Sequence, residues 1–322
     1  MILGINLKKY PVKRVFFILL GSLFLFFPGQ NHYQLTQVLN QPARVQGTAI
    51  DFPTPAFYPA NTGVNQAPFL SARSVLVMDR DSSVILYEKN PLLRLLPAST
   101  VKMMTGLVAL EHYDLDQVLT VPPVSHEGQD MELVTGEQIK VIDLLYGLLV
   151  SSANDAALAL AQNYPGGEKA FVEAMNKKAQ DLNLANSFFT NPTGMDQEEL
   201  GFTSLSYAST LDLARLSVYA LKKPVFAQMV ATPKMVVTDI TGGIVHELFN
   251  INELLTFLEG VKGIKTGWTE NAGECLVAYT EREGRGVITV VLGSNDRFGE
   301  TQTLVEWVFA NHRWQPFLPT QE

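Results

Sequence analysis

Residues 261–292, VKGIKTGWTENAGECLVAYTEREGRGVITVVL, contain strand-like runs whose pairing decides the fold. Val261 to Ile264 read as strand. Cys275 to Thr280 and Val287 to Leu292 alternate and are joined through Glu283-Gly284-Arg285-Gly286, the pattern of a hairpin. Further towards the N-terminus, Ser74 to Met78 and Val84 to Tyr87 flank Asp79-Arg80-Asp81-Ser82-Ser83 and predict a second hairpin. The sequence between the hairpins is helical in character: Val101 to His112, Ile142 to Val150, Ala156 to Tyr164, and Leu211 to Leu221 with Ser209 or Thr210 as cap. Leu304, Val305, Val308 and Phe309 mark one face of a closing helix. Strands at both ends with helices between them predict an α/β domain of the α+β type. Its single antiparallel sheet would hold the two ends of the domain side by side, with a helical middle covering its faces.

The composition excludes several function classes. Of 322 residues, 47% are hydrophobic, enough for a packed core. The net charge of −8 argues against a nucleic-acid partner. One cysteine, Cys275, permits no intramolecular disulfide. The five histidines are scattered without metal-ligand spacing, so neither a metal nor a cofactor is expected.

The N-terminus reads as an export segment. Lys8, Lys9, Lys13 and Arg14 precede a mostly apolar run from Val15 to Phe27, closed by Pro28-Gly29. No Ala-x-Ala cleavage site follows, so residues 1–30 are expected to act as an uncleaved membrane anchor, with a cleaved signal as the alternative. Residues 31–68, rich in Pro, Asn and Gln, read as a tether spanning roughly 35 Å. The alternative is that part of this stretch packs as an arm on the domain. The folded domain is expected over 69–318, with no accessory domain after it. Either export reading places that domain outside the cytoplasm.

Three short strings carry chemistry. In Ser99-Thr100-Val101-Lys102, a spacing of three on a helix puts Lys102 over Ser99. A free lysine titrates near 10.4, so service as a base near neutrality needs a drop of about three units, or roughly 4 kcal/mol. Burial and a second cation both push that way, and Lys265 is the obvious second cation. The string Ser152-Ala153-Asn154 sits in the break between two helices, where its side chains either cap the second helix or face a cleft. Lys265-Thr266-Gly267 is the rarest, expected by chance roughly 0.1 times in such a chain. Its lysine and threonine suit a carboxylate, and its glycine admits close backbone approach. A phosphate-binding loop is excluded, because that motif needs Gly where Ile264 stands. The inventory is that of acyl transfer by a serine served by lysine.

With these motifs the chain resembles the serine D-alanyl-D-alanine carboxypeptidases, the low-molecular-weight penicillin-binding proteins of the β-lactamase/transpeptidase-like superfamily. The likeness runs from about Ser71 to Asn311. It includes Pro97 to Thr105, Ser152 to Ala156, Asn191-Pro192-Thr193-Gly194-Met195-Asp196, Ser209 to Ala214, and Gly263 to Thr269 followed by Ala272-Gly273. It implies that Ser99 attacks the peptide bond between two D-alanines, with Lys102 taking its proton. Ser152 would relay that proton to the leaving group, and Asn154 would orient Lys102 and substrate. Lys265 and Thr266 would hold the terminal carboxylate, with Arg297 as a loosely aligned helper. Backbone N–H groups of Ser99 and Trp268 would form the oxyanion hole beside Gly267. The implied substrate is a peptidoglycan stem peptide ending in D-Ala-D-Ala, and β-lactams are the implied covalent inhibitors. The alternatives are a D,D-endopeptidase acting on peptidoglycan cross-links, a class A β-lactamase, and a non-catalytic penicillin-binding wall protein. The lactamase would carry Glu-x-x-Leu-Asn between Asn154 and Lys265, and the nearest string, Glu198-Glu199-Leu200-Gly201, does not match. Intact Ser99, Lys102 and Lys265-Thr266-Gly267 count against the non-catalytic protein.

Overall fold

The computed structural model describes residues 57–63, 65–123, 128–196 and 205–316. The expected anchor, most of the expected tether, and Glu198 to Gly201 lie outside these residues. No helix among the described residues is long and apolar enough to cross a membrane.

The chain opens with β1 (Phe57–Asn61), β2 (Ser74–Asp79) and β3 (Ile85–Lys89). A 3₁₀ turn over Ala98–Val101 runs straight into α1 (Lys102–His112). Then come β4 (Val118–Thr120), β5 (Gln138–Lys140), α2 (Val141–Val150), α3 (Asn154–Gln162), α4 (Gly167–Asp181), α5 (Thr210–Ala220) and α6 (Pro224–Val230). The chain continues through β6 (Lys234–Thr238), β7 (Val245–Phe249), the single turn α7 (Leu254–Phe257), β8 (Val261–Thr269), β9 (Gly273–Arg282), β10 (Arg285–Ser294), α8 (Arg297–Asn311) and β11 (His312–Pro316).

The main sheet has the order β3-β2-β10-β9-β8, antiparallel throughout. Its early hairpin lies against its late one, as expected from the sequence. Alternate residues of the strands enter different cores. Leu276 and Ala278 pack with Val305 of α8, while Val75, Val77, Val287 and Val291 meet Leu304 and Val308. On the opposite face Leu76, Val277, Ile288 and Val290 join the large core built from α1, α2 and their neighbours. A sheet covered on both faces explains why its central strands read as nearly unbroken apolar runs. Strand β8 closes one edge, so one side of it faces no sheet partner.

Residues 57–61, within the stretch 31–68, form β1 and pair with β11, from Phe57 opposite Pro316 to Asn61 opposite His312. The indole N–H of Trp314 donates to Asp79 Oδ1 at 2.6 Å, and its ring stacks on Phe309. The pair is thereby fastened to the end of β2 and to α8.

Leu304 is wholly buried between α8 and the sheet. Leu304→Ala is expected to cost about 2–5 kcal/mol of stability, read as a lower urea midpoint with an unchanged slope.

Candidate active site

The nucleophile candidate stands on a constrained turn. Ala98 has φ +48°, a left-handed backbone that a non-glycine residue rarely adopts. Ser99 follows, half-buried in the 3₁₀ turn, and Thr100 Oγ1 closes the turn by donating to Pro97 O at 2.7 Å. Two glycines let other segments press against it. A Cβ on Gly194, where φ is +82°, would lie 2.1 Å from Ala98 O. A Cβ on Gly267 of β8 would lie 3.0 Å from both Pro97 O and the Ser99 amide nitrogen.

Lys102, the first residue of α1, is completely buried. Its ammonium donates to Ser99 Oγ at 3.1 Å, Asn154 Oδ1 at 2.6 Å and Thr193 O at 2.7 Å. Burial pushes its proton affinity well below that of a free lysine, and the positive charge of Lys265 pushes further; Asp155 opposes them. The Thr193 carbonyl is held out by a tight turn. Asn191 Oδ1 accepts from the amides of Thr193 and Gly194, and Thr105 Oγ1 donates to Pro192 O at 2.7 Å.

Ser152 and Asn154 lie where α2 gives way to α3, but neither is spent on capping. Helix α3 begins at Asn154 rather than Ala156, and its N-cap, Ala153, makes no side-chain bond. The Asn154 amide turns to Lys102 instead. Ser152 is buried with φ +62°, a second strained backbone, and its hydroxyl makes no hydrogen bond among the described residues. Asp155, next along, accepts from the amides of Met131, Leu133 and Ala156. It ties the loop before β5 to the start of α3. By contrast, Ser209 caps α5 as its sequence predicts, accepting from the Asp212 amide.

Lys265 and Thr266 are buried on β8, whereas Trp268 is 62% exposed at its end. Among the described residues the Lys265 ammonium donates to one acceptor, Thr266 O at 3.1 Å. Burial and the nearby Arg297 guanidinium lower its pKa to about 7. Arg297 opens α8, donates from Nη1 to Gly267 O at 3.0 Å, and keeps a buried Nε without a partner among the described residues. Spare donors on two neighbouring cations beside an edge strand are what an incoming anion needs. Cys275 of β9 pairs with Gly267 of β8 and is buried, its thiol raised to about 11 by desolvation. No group of three or more metal-ligating side chains occurs among the described residues.

The structure thus joins Ser99, Lys102 and Asn154 by direct hydrogen bonds, Gly267 by close approach, and Lys265 by its field. Residue types gave no signal for the Thr193 carbonyl, and the role of Asp155 rests on loop amides far away in sequence. Gly194→Ala is expected to displace the Ala98–Ser99 turn and to cut any reaction that needs Ser99 in place by about a hundredfold, since shifts of about 1 Å have that effect. Ser152→Gly relieves a left-handed backbone and is expected to raise stability by about 1 kcal/mol while lowering turnover. Thermal melting and peptide hydrolysis, measured on the same preparation, check both.

Residues 61–296 match the family model for D-alanyl-D-alanine carboxypeptidase. The chain is 32% identical over 255 residues to the D-alanyl-D-alanine carboxypeptidase DacF of Bacillus subtilis, covering 76% of this chain and 64% of that protein. It is 36% identical over 261 residues to a D-alanyl-D-alanine endopeptidase of Pseudomonas aeruginosa, covering 78% of this chain and 81% of that one. The Streptomyces K15 DD-transpeptidase crystal structure superposes with a TM-score of 0.71 at 30% identity, over 76% of this chain and 100% of that chain. Together with a serine, a buried lysine and an asparagine joined by hydrogen bonds beside an edge strand, these matches place the chain in the D-alanyl-D-alanine carboxypeptidase family, with the β-lactamase/transpeptidase-like fold of its relatives.

Proposed function

We propose that this peptidase removes the terminal D-alanine from peptidoglycan stem peptides through an acyl-enzyme on Ser99. The observation that carries the reading is the Lys102 ammonium 3.1 Å from Ser99 Oγ, buried and with lowered proton affinity. Neutral Lys102 takes the Ser99 proton as Oγ adds to the penultimate D-alanine carbonyl. The oxyanion meets the backbone N–H groups of Ser99 and Trp268, each such donor being worth about 3 kcal/mol. Ser152 passes the proton to the departing amine, and the C–N bond breaks. Water then adds to the ester carbonyl as Lys102 takes its proton, and the ester C–O bond breaks as Lys102 returns that proton to Ser99 Oγ. The substrate's terminal carboxylate pairs with Lys265, Thr266 and Arg297. The spare donors of Lys265 and Arg297 support that placement. A β-lactam enters the same path and leaves Ser99 acylated.

The basic residues ahead of the apolar run Val15 to Phe27 support placing the domain outside the cytoplasm, held at the membrane by residues 1–30. N-terminal sequencing of membrane-extracted protein checks this, since a start near residue 30 would refute the anchor.

Incubation with a pentapeptide ending in D-Ala-D-Ala is expected to release D-alanine, and a labelled penicillin to form a covalent adduct; Ser99→Ala should abolish both. Release that survives Ser99→Ala overturns the nucleophile. A cross-linked muropeptide in the same assay measures endopeptidase activity. Lys265 is charged below its pKa of about 7 and neutral above it. The substrate KM is therefore expected to rise about tenfold as pH climbs past 7, the loss of one charge-assisted hydrogen bond. An amidated C-terminus should lack this rise. Because the unfolded lysine holds its proton up to about 10.5, the stability contributed by Lys265 grows from pH 7 towards 10.5 and is lost as pH falls through 7.

A further inference from the structure

Behind Asn154 lies a loop that the catalytic scheme leaves unused, and a buried histidine holds it. Gly128, with φ +77°, lies so close that a Cβ there would stand 2.9 Å from Asn154 Nδ2. Gln129 O accepts from the Asn154 amide at 2.7 Å. Met131 is pinned three ways. Its amide donates to Asp155, its sulfur lies against α2 where Gly147 has no Cβ, and its carbonyl accepts from His246 Nδ1 at 2.7 Å. The loop therefore forms the wall on which the Asn154 side chain rests.

His246 reaches the wall from β7, with its inward neighbour Leu248 in the core. Its Nε2 lies 2.8 Å from Glu137 Oε1, and Glu137 Oε2 accepts from the Val134 amide at 3.0 Å. Both side chains are buried. A carbonyl has no proton to give, so Nδ1 carries one and donates it to Met131 O. A second proton is shared between Nε2 and Glu137. Every ring nitrogen and carboxylate oxygen of the pair is thus occupied, the condition under which a buried polar pair rigidifies what it joins. The neighbouring charge is Asp143 in the first turn of α2.

We propose that His246, with Glu137, is a positioning residue for acyl transfer: it locks the 128–137 loop against Asn154 and so fixes where the Lys102 ammonium sits and how dry it stays. Its path is His246 to Met131 O, Met131 N to Asp155, Asn154 beside Asp155, and Asn154 Oδ1 to Lys102. The inference rests on Lys102 being the base for Ser99.

The test is the rate of acylation by a fluorescent penicillin, and kcat and KM for D-alanine release, from pH 5 to 10 on the full chain. His246→Leu is expected to slow acylation about ten- to hundredfold. Loss should fall on kcat, because the carboxylate site is on β8 and α8. The rise of rate with pH should also move to higher pH, since water reaching Lys102 restores its proton affinity. A loss of stability alone would not move that limb below the melting temperature. Glu137→Gln should stay within about threefold of the parent, because an amide can accept from Val134 N–H and donate to Nε2 while Nδ1–H stays on Met131 O. Should the His246 variants fail to accumulate, Glu137→Leu takes their place against Glu137→Gln. Parent-like rates and an unmoved pH limb in His246→Leu, or equal rates in Glu137→Leu and Glu137→Gln, overturn the proposal. Acylation that survives Lys102→Ala overturns the base assignment and this inference with it. A silent Lys102→Ala beside a parent-like His246→Leu overturns the clamp alone.

Discussion

A buried ammonium needs acceptors, and the way Lys102 finds them organises the helical half of the domain around the sheet. Its three partners come from separate places: the turn before α1, the start of α3, and the loop after Phe189. None can drift without stranding a charge in a low-dielectric interior, at a cost of several kcal/mol. The same burial lowers the proton affinity of the lysine. One constraint therefore holds segments together and makes Lys102 easier to deprotonate than a free lysine. Lys265 adds to the second effect and is itself moved by Arg297, so the site reads as a row of cations, each making the next easier to deprotonate.

Close backbone approach supplies the rest. Gly194 and Gly267 press on the turn that presents Ser99 from different directions, at distances a side chain would forbid. Strain at Ala98 and Ser152 persists because neighbours over-determine both turns. Stability is thus spent where the candidate groups of the site stand, and recovered in a sheet whose two faces are both covered.

Much of this was legible in the sequence where the determinants are local. Turn residues between apolar runs, Glu283-Gly284-Arg285-Gly286 and Asp79 to Ser83, revealed both hairpins, because turn chemistry is read without knowledge of partners. The Ser99–Lys102 spacing works because both lie within a turn and a half of helical backbone. The start of α3 was misplaced by two residues, since Asn is a favoured cap by local rules while its amide is claimed by Lys102. The Thr193 carbonyl left no trace, because a backbone oxygen has no residue type. His246 read as a scattered histidine, and its meaning depends on Glu137 and Met131, more than a hundred positions away.

Cys275 is the sole thiol of the chain and sits opposite Gly267, on the strand beside the one that carries Lys265. Fully buried in the large core, with its thiol raised to about 11 and its sulfur against Leu96 O, it is shielded from alkylating reagents while the segment leading into the Ser99 turn stays in place. The sequence therefore contains its own clock for the wall behind Ser99: each covalent tag on that sulfur records an opening of the segment that leads into the turn.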